Sequence, residues 1–290
     1  MLILPAGVVW LASYPRSGNT WIRILLSNLL EGKGVPGDIN NFALKGESAN
    51  SVQAFEELTL LDSDLLKTRE IEALRPTVHD AESKHSGEAK LLKTHDAYTY
   101  VKGGTPLLGR AARAAIYLVR DPRDVAVSFA AHFGIGIDAA IRRMNDQDDT
   151  IGGFLQTRQR LTGWTGHVTS WLDQLDLPVH VIRYEDLHAD TSAVFAAALD
   201  FLGANYTRHQ LEQAVVHSGF AELRRQEREN GFCESLPAET LFFRRGETGS
   251  WRQELTATQI GVIESDHAIT MKRLGYLRAA EMPQSEGYQR

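Results

Sequence analysis

Cysteine is almost absent from the sequence, which has one, Cys233, among 290 residues. A single thiol forms no intramolecular disulfide and is too few for a cysteine-rich zinc site, so we expect a reducing, cytoplasmic location. Basic residues are not in excess either, because 31 Lys and Arg are outnumbered by 37 Asp and Glu, for a net charge of −6. This balance argues against a nucleic-acid partner, so locally placed cations would have to bind any anion.

Long hydrophobic runs are also missing, since none reaches the roughly 20 residues that span a bilayer. The apolar residues 1–14 have no basic segment before them and lead directly into the turn Pro15–Gly18. They therefore predict a buried first strand and not a cleaved signal sequence. We expect no membrane partner.

The spacing of a metal site is lacking as well. Two polar stretches, His79–His85 and Asn145–Asp149, contain possible ligands. The first matches no standard zinc spacing, and the second lacks the glycine and the terminal glutamate of a calcium loop. We expect both to be solvated loops and expect no metal.

What the sequence does contain is an alternation of short apolar runs with helical patterns. Four runs predict strands, namely Val8–Tyr14, Ala89–Thr94, Ala114–Val119 and Pro178–Tyr184. Helices are predicted at about Thr20–Leu30, from near Asp124, and between a cap at Asp190 and Leu202. This alternation is typical of an α/β fold, so we predict one domain over residues 1–290, with a central, mainly parallel sheet flanked by helices.

Three segments interrupt the alternation, at residues 31–85, 134–165 and 221–243. The first two are polar and irregular, with few strand signals. Insertions in α/β folds commonly form walls at the carboxyl ends of the strands, and we expect these segments to surround a substrate. Their apolar residues do not reveal its identity.

The strongest local signal is the strand-to-helix turn Tyr14–Trp21, with sequence YPRSGNTW. At a helix start the backbone amides of residues 17–20 have no intrahelical partner, and the helix dipole adds positive potential. Gly18 permits close approach of a ligand, Thr20 adds a hydroxyl, and Arg16 offers a charged fork to a phosphate or sulfonate. The turn lacks the Gly-Lys-Ser/Thr of a Walker A loop. The alternative is a capped helix with Arg16 in solvent.

A second cationic turn is Arg120–Ser128, with sequence RDPRDVAVS. Arg120 ends a predicted strand and Ser128 lies about one turn inside the following helix, so both side chains could converge on one phosphate. Asp124 is expected to cap this helix, since its carboxylate can accept from exposed amides. The alternative is a set of surface Arg–Asp pairs.

A third cationic segment is Phe243–Gly246, in which Arg244 and Arg245 precede a flexible glycine. Such a pair can clamp an anion, although paired arginines are common on ordinary surfaces. Three cationic segments in an acidic protein together indicate a ligand with more than one phosphate.

His95 follows the predicted strand Ala89–Thr94, at the carboxyl end where α/β sites form. A histidine there can take a proton near neutral pH. Lys93 is two residues earlier and faces the same side of a straight strand. The alternative is a structural histidine.

Together these segments carry a family resemblance. YPRSGNTW, KTH, RDPRDVAVS, YEDL and RRGETGSW follow one another, beginning at Tyr14, Lys93, Arg120, Tyr184 and Arg244. Over about residues 8–260 the sequence resembles the PAPS-dependent sulfotransferases, the cytosolic small-molecule branch in particular. The resemblance implies a P-loop-like domain that binds 3′-phosphoadenosine 5′-phosphosulfate (PAPS). It implies transfer of the sulfuryl group to a hydroxyl or amine of a small-molecule acceptor, which leaves adenosine 3′,5′-bisphosphate (PAP), without a metal.

The resemblance also implies a role for each matching residue. The 5′-phosphate would be held by Arg16, Ser17, Gly18, Asn19, Thr20 and Trp21. The 3′-phosphate would be held by Arg120, Ser128, Arg244, Arg245 and the backbone of Gly246. Adenine would lie between Trp21 and Phe220, with Tyr184 beside the nucleotide. His95 would be the catalytic base, with Lys93 and Arg16 stabilising charge on the sulfonate and the leaving oxygen.

Several positions depart from the family pattern. Arg16 replaces the usual lysine, which keeps the charge but aims it differently. Asn19 replaces a common threonine, and Ser250 replaces an aspartate that often precedes the tryptophan. Ala257 and Gly261 replace the valine and glutamate of the short dimerisation motif, so the oligomeric state is not predicted.

Two other functions remain open from the sequence. A P-loop nucleotide kinase or other phosphotransferase is disfavoured because the chain lacks Gly-Lys-Ser/Thr and a clear magnesium-binding pair. A non-catalytic nucleotide-binding protein is disfavoured because Lys93 and His95 are both present.

Overall fold

A parallel four-stranded sheet organises the computed structural model, which describes residues 4–45, 48–85, 87–153, 155–236, 241–244 and 246–277. The described strands are β1 (Gly7–Ser13), β2 (Ala89–Thr94), β3 (Ala114–Val119), β4 (Thr150–Gly153), β5 (Gln156–Arg160) and β6 (Val179–Arg183). The main sheet has the order β2-β1-β3-β6, and β1 pairs in parallel with both of its neighbours. The predicted α/β fold is therefore confirmed.

Helices cover both faces of this sheet. In the described part of the chain they are α1 (Asn19–Glu31), α2 (Val52–Thr59), α3 (Thr68–His85), α4 (Pro122–Phe133), α5 (Ile137–Asn145), α6 (Gly163–Asp173), α7 (Tyr184–Ala189), α8 (Thr191–Phe201), α9 (Arg208–His217), α10 (Phe220–Asn230), α11 (Trp251–Glu254), α12 (Ala257–Asp266) and α13 (Ala268–Arg273). A short 3-10 helix, Ser63–Leu65, lies between α2 and α3.

The core is divided between the two faces of the sheet because successive strand residues point to opposite sides. Trp10 of β1 belongs to one apolar cluster, together with Trp164 and Trp171 of α6. Leu11, the next residue of β1, belongs to the other cluster, with residues of α1 and α8. Both tryptophans of α6 are fully buried, so they are core residues.

The insertions are more regular than their composition predicts. Residues 31–85 contain the 18-residue helix α3, and residues 134–165 contain the antiparallel hairpin β4–β5. His79 is inside α3, is 1% exposed and packs edge-on against Trp10, so the prediction of a solvated loop there is wrong. A helix that packs at the edge of a core keeps one polar face, so its sequence is rich in polar residues. This explains why the sequence predicts a loop at α3.

The start of α4 also differs from expectation. The helix begins at Pro122, and Asp121 caps it by accepting a hydrogen bond from the amide of Arg123. The predicted cap, Asp124, is inside the helix and has a different partner, described below. Proline at the first helical position explains the earlier start, because it needs no intrahelical partner for its nitrogen.

The carboxyl ends of the four parallel strands meet at one edge of the sheet, where ligand sites of α/β folds form. β1 leads there into the Tyr14–Gly18 turn, β2 into His95, β3 into Arg120 and β6 into Tyr184. Within the described ranges, no single helix has the length and apolarity to cross a membrane. The bent pair α4–α5 meets that criterion only as a pair, by length and composition.

Candidate active site

A cavity of about 780 Å³ opens at this edge of the sheet. Segments far apart in the chain supply its walls. Of the residues predicted for the site, the cavity is lined by Arg16, Gly18, Asn19, Thr20, Trp21, Lys93, His95, Arg120, Ser128, Tyr184, Phe220, Arg244 and Gly246. Ser17 lies buried beneath the surface, and Arg245 lies outside the described residues.

The turn before α1 has the backbone that a phosphate loop needs. Gly18 has φ of 100°, and a Cβ there would lie 2.7 Å from the ring of Tyr184, so a side chain is excluded by both conformation and space. No side chain caps the start of α1, which leaves its first amides to a ligand. The Ser17 hydroxyl is buried without a hydrogen-bond partner in the described chain. These features fit a bound anion.

The side chain of Asn19 faces away from the cavity. Its amide nitrogen donates to the carbonyl of Leu11 at 2.8 Å, and its oxygen accepts from Arg23 at 3.2 Å. The side chain therefore fixes β1 to α1, and its backbone amide is the group that remains for a ligand.

Arg16 is held by a ring of contacts at the centre of the cavity. Its guanidinium donates to the Ser128 hydroxyl at 3.0 Å, contacts His132 Nδ1 at 3.2 Å and stacks 4.2 Å from the centre of the Phe242 ring. Its φ of 68° is in the left-handed region. The flat fork of arginine permits this stacking, which the ammonium of a lysine could not reproduce in the same way.

Arg120 also lines the cavity. It stacks 4.2 Å from the centre of the Tyr184 ring and donates to the carbonyls of Arg16 and Glu247. Tyr184 in turn meets Trp21 edge-on, with centroids 5.8 Å apart. Three aromatic or planar groups therefore form one continuous wall.

Gly246 and Arg244 also line the cavity. Gly246 has φ of 64°, and a Cβ there would collide with the ring of Phe220. Arg244 lines the cavity while it forms a two-pronged ion pair with Glu254, at 3.1 Å for each contact. Its cation is thus anchored before any ligand binds.

Asp124 joins two of the predicted phosphate segments, so the prediction that it caps α4 is wrong. Its carboxylate accepts from the amides of Gly249 and Trp251 at 2.6 and 3.0 Å, and from the Ser250 hydroxyl at 3.0 Å. This carboxylate therefore anchors the loop after Gly246 to α4. Serine at position 250 donates directly to that carboxylate, which an aspartate could not do.

His95 has a defined tautomer. Its Nδ1 lies 2.7 Å from the carbonyl of Ser13, which can only accept, so Nδ1 carries the proton and Nε2 carries the lone pair. Burial, and then the charge of Lys93, lower the pKa of His95 well below its usual value. The ring is therefore neutral at physiological pH and can accept a proton at Nε2.

The backbone around His95 is fixed by side chains that the sequence did not point to. Its amide donates to Gln159 at 2.7 Å, and its carbonyl accepts from His167 Nε2 at 3.1 Å. His167 Nδ1 then accepts from the Tyr117 hydroxyl at 2.9 Å. Gln159 and His167 come from a hairpin and a helix far along the chain, and no motif marks either one.

Lys93 lies beside His95 in the same cavity. Burial, and then the neighbouring charge of Arg23, lower the pKa of Lys93 to about 8, although Glu234 opposes the shift. The ammonium is therefore mostly protonated at neutral pH and is attracted to an anionic ligand.

The far side of the cavity is apolar. Its walls come from the second and third insertions and from the end of α4, and they include Phe133, Ile151, Leu155, Leu236 and Leu241, whereas the first insertion contributes only the polar residues Lys45 and Ser48. Leu155 is 74% exposed, so its side chain contributes little to the packing of the folded chain and is accessible to a ligand. Among the described residues, no group of three or more histidines, cysteines or carboxylates is placed to hold a metal ion.

The family of the chain follows from its sequence over nearly the whole length. The family model described as "Sulfotransferase domain" matches residues 7–275. The chain belongs to the sulfotransferase family. The predicted enzyme class is confirmed, and the phosphotransferase and non-catalytic alternatives are set aside.

Individual relatives agree with this assignment. This sulfotransferase is 25% identical over 254 residues to "Sulfotransferase 2A6" of Rattus norvegicus, a match that covers 86% of this chain and 79% of the relative. Its fold is similar to that of a retinol dehydratase in complex with androsterone and PAP, with a TM-score of 0.61, 21% identity and coverage of 95% and 83%. It is also similar to mouse SULT7A1 in complex with PAP, with a TM-score of 0.57, 19% identity and coverage of 93% and 87%.

Proposed function

We propose that this enzyme transfers the sulfuryl group of PAPS to a hydroxyl group of a small, largely apolar molecule, and releases PAP. The observation that carries the proposal is that His95, whose Nδ1 is bonded to the Ser13 carbonyl, lines one cavity with Lys93, Arg16 and the open start of α1. A base, two cations and a phosphate loop in one cavity are the groups that this transfer uses.

The donor has a fitting place on the polar side of the cavity. The open amides of residues 17–20 and the buried Ser17 hydroxyl suit its 5′-phosphate. Arg120 and Ser128, with Arg244, Arg245 and the Gly246 backbone, are proposed for the 3′-phosphate, and Trp21 and Tyr184, with Phe220, for adenine. The solved PAP complexes of the two fold relatives are consistent with a donor of this kind.

His95 is proposed as the general base. Its Nε2 takes the proton of the acceptor hydroxyl as the acceptor oxygen bonds to sulfur, and the bond from sulfur to the phosphate oxygen breaks in line. Lys93 and Arg16 stabilise the charge on the sulfonate and on the leaving oxygen. These cations lie where a metal would otherwise act, so we propose that the transfer needs none.

The acceptor is proposed from the apolar wall opposite the donor side. A hydroxylated molecule with an apolar body would bury Leu155 and its neighbours while its hydroxyl reaches His95. An amine remains the alternative nucleophile, and a glycan or peptide fits this wall less well.

Transfer of labelled sulfur from PAPS to a panel of alcohols and phenols tests the proposal. We expect transfer to at least one apolar alcohol or phenol, unaffected by a metal chelator, and no phosphate transfer from ATP with magnesium. Failure to bind PAP, or turnover that depends on magnesium and ATP, would contradict the proposal. The single domain, the cytoplasmic location and the absence of nucleic-acid and membrane partners stay predictions.

A further inference from the structure

An acidic side chain of this chain already lies among the cations of the donor side. One oxygen of Glu234 accepts from the Thr20 hydroxyl at 3.2 Å and from Arg23 at 2.7 Å. The other oxygen accepts from the same Arg23 nitrogen at 2.9 Å. Glu234, Thr20 and Arg23 all line the cavity, and Arg23 is only 1% exposed.

The charge of Glu234 is strongly favoured in this position. Burial alone would raise its pKa, but the charges of Lys93 and Arg23 lower it to about 2. Glu234 in turn raises the pKa of Lys93 against the effect of burial. The carboxylate therefore acts as the counter-ion of Lys93 and Arg23.

The Thr20 hydroxyl cannot serve this carboxylate and a phosphate together. It has one proton, which it donates to Glu234, while its oxygen accepts from Arg23 at 3.2 Å. A donor phosphate on the open start of α1 would need the same proton and the same positive field. A carboxylate that stayed beside it would repel it at close range.

We propose that Glu234 is an internal anion that competes with the donor for the Thr20 hydroxyl, and so sets the affinity of the site for PAPS and PAP. This inference rests on the proposed function. The carboxylate leaves the Thr20 hydroxyl when the nucleotide binds and returns when PAP departs. It weakens the hold on the product as well as on the donor, which favours turnover.

The test is the affinity of the full chain for PAP, measured by titration calorimetry, after the change Glu234→Gln. Glutamine keeps an oxygen for Arg23 but removes the negative charge, so we expect PAP to bind about tenfold more tightly or better, the size of one lost charged interaction. Glu234→Ala, expected to act in the same direction, covers a failure of the first variant to fold. The matched control is Glu229→Gln, which removes a charge from an exposed ion pair with Arg225 and should leave the affinity unchanged.

The outcomes separate this inference from the function beneath it. If the unaltered enzyme does not bind PAP, the proposed function fails. If it binds PAP and the Glu234 variants bind it equally well or more weakly, Glu234 supports the site and does not compete for it, which overturns the inference. A gain of affinity is not expected from structural damage, so the direction of the change decides.

Discussion

The two sides of the cavity are built in different ways. On the proposed donor side, charged groups have fixed partners. Arg16 and Arg120, at corners of the sheet, contact Ser128 and Tyr184, and Arg244, between α10 and α11 in the chain, pairs with Glu254. On the acceptor side, apolar side chains come from insertions, and Leu155 is largely exposed. Under the proposed function, we therefore expect the insertions to select the acceptor and the turns around the sheet to bind the donor.

Removal of the base should give the largest effect and should leave the donor side intact. For His95→Ala we expect turnover to fall about 10²- to 10⁴-fold, as for loss of a general base, with unchanged affinity for PAP. Steady-state kinetics and calorimetry measure the two quantities. The control is His209→Ala, which alters an exposed histidine of α9. If His95→Ala kept most of the activity, His95 would not be the base.

Removal of a donor-side cation should weaken nucleotide binding. For Arg120→Ala we expect the affinity for PAP to fall about 10- to 100-fold, the cost of losing hydrogen bonds to a charged group, while the acceptor KM is unchanged. Titration of PAP into both proteins measures the loss. Arg208→Ala is the matched control, since that side chain is 90% exposed and pairs with Glu212 on α9. An unchanged affinity in Arg120→Ala would contradict the 3′-phosphate assignment.

The pH profile separates the base from the cation beside it. His95 is neutral through the neutral range because its pKa is well below its usual value, so kcat/KM should not fall until the pH is acidic. Lys93 loses its charge as the pH rises through its pKa of about 8, so kcat/KM should fall about tenfold per pH unit above that value. Lys93→Arg keeps the charge and should remove the alkaline fall. An alkaline fall that persists in Lys93→Arg would exclude Lys93 as its cause.

A change on the acceptor wall should have the smallest effect and should be confined to that side. For Leu155→Ala we expect the acceptor KM to rise about five- to tenfold, since a few buried methylene groups are lost, with no change in PAP affinity. The folded chain should keep its stability because this side chain is exposed without acceptor. Leu175→Ala, which alters a leucine that is 97% exposed and outside the cavity, is the control. A loss of PAP affinity in Leu155→Ala would contradict the division of the cavity into a donor side and an acceptor side.

The difference between the two sides also explains what the sequence could predict. Ala114–Val119 is predicted to the residue because a parallel strand buried on both faces is a continuous apolar run between clear breaks. Ala89–Thr94 is also predicted to the residue, although it is an edge strand that contains two lysines. The turn before α1 is local in sequence, so its spacing alone reveals an anion site.

Contacts between distant segments leave no such local pattern. Asp124 looks like a cap from its neighbours, and only the folded chain brings residues 249–251 to it. Gln159 and Glu234 reach the site from a hairpin and a loop, where polar residues are ordinary. Burial of a charged helix residue such as Arg23 is also hidden, because its counter-ion lies 211 residues away.

The most direct test of the donor side is a crystal structure of the enzyme with PAP. We expect its 5′-phosphate on the amides of residues 17–20 and its 3′-phosphate within hydrogen-bond distance of Arg120, with His95 facing the end of the cleft where the sulfur would lie. A nucleotide bound away from Arg120, or His95 turned from the 5′-phosphate, would contradict the account.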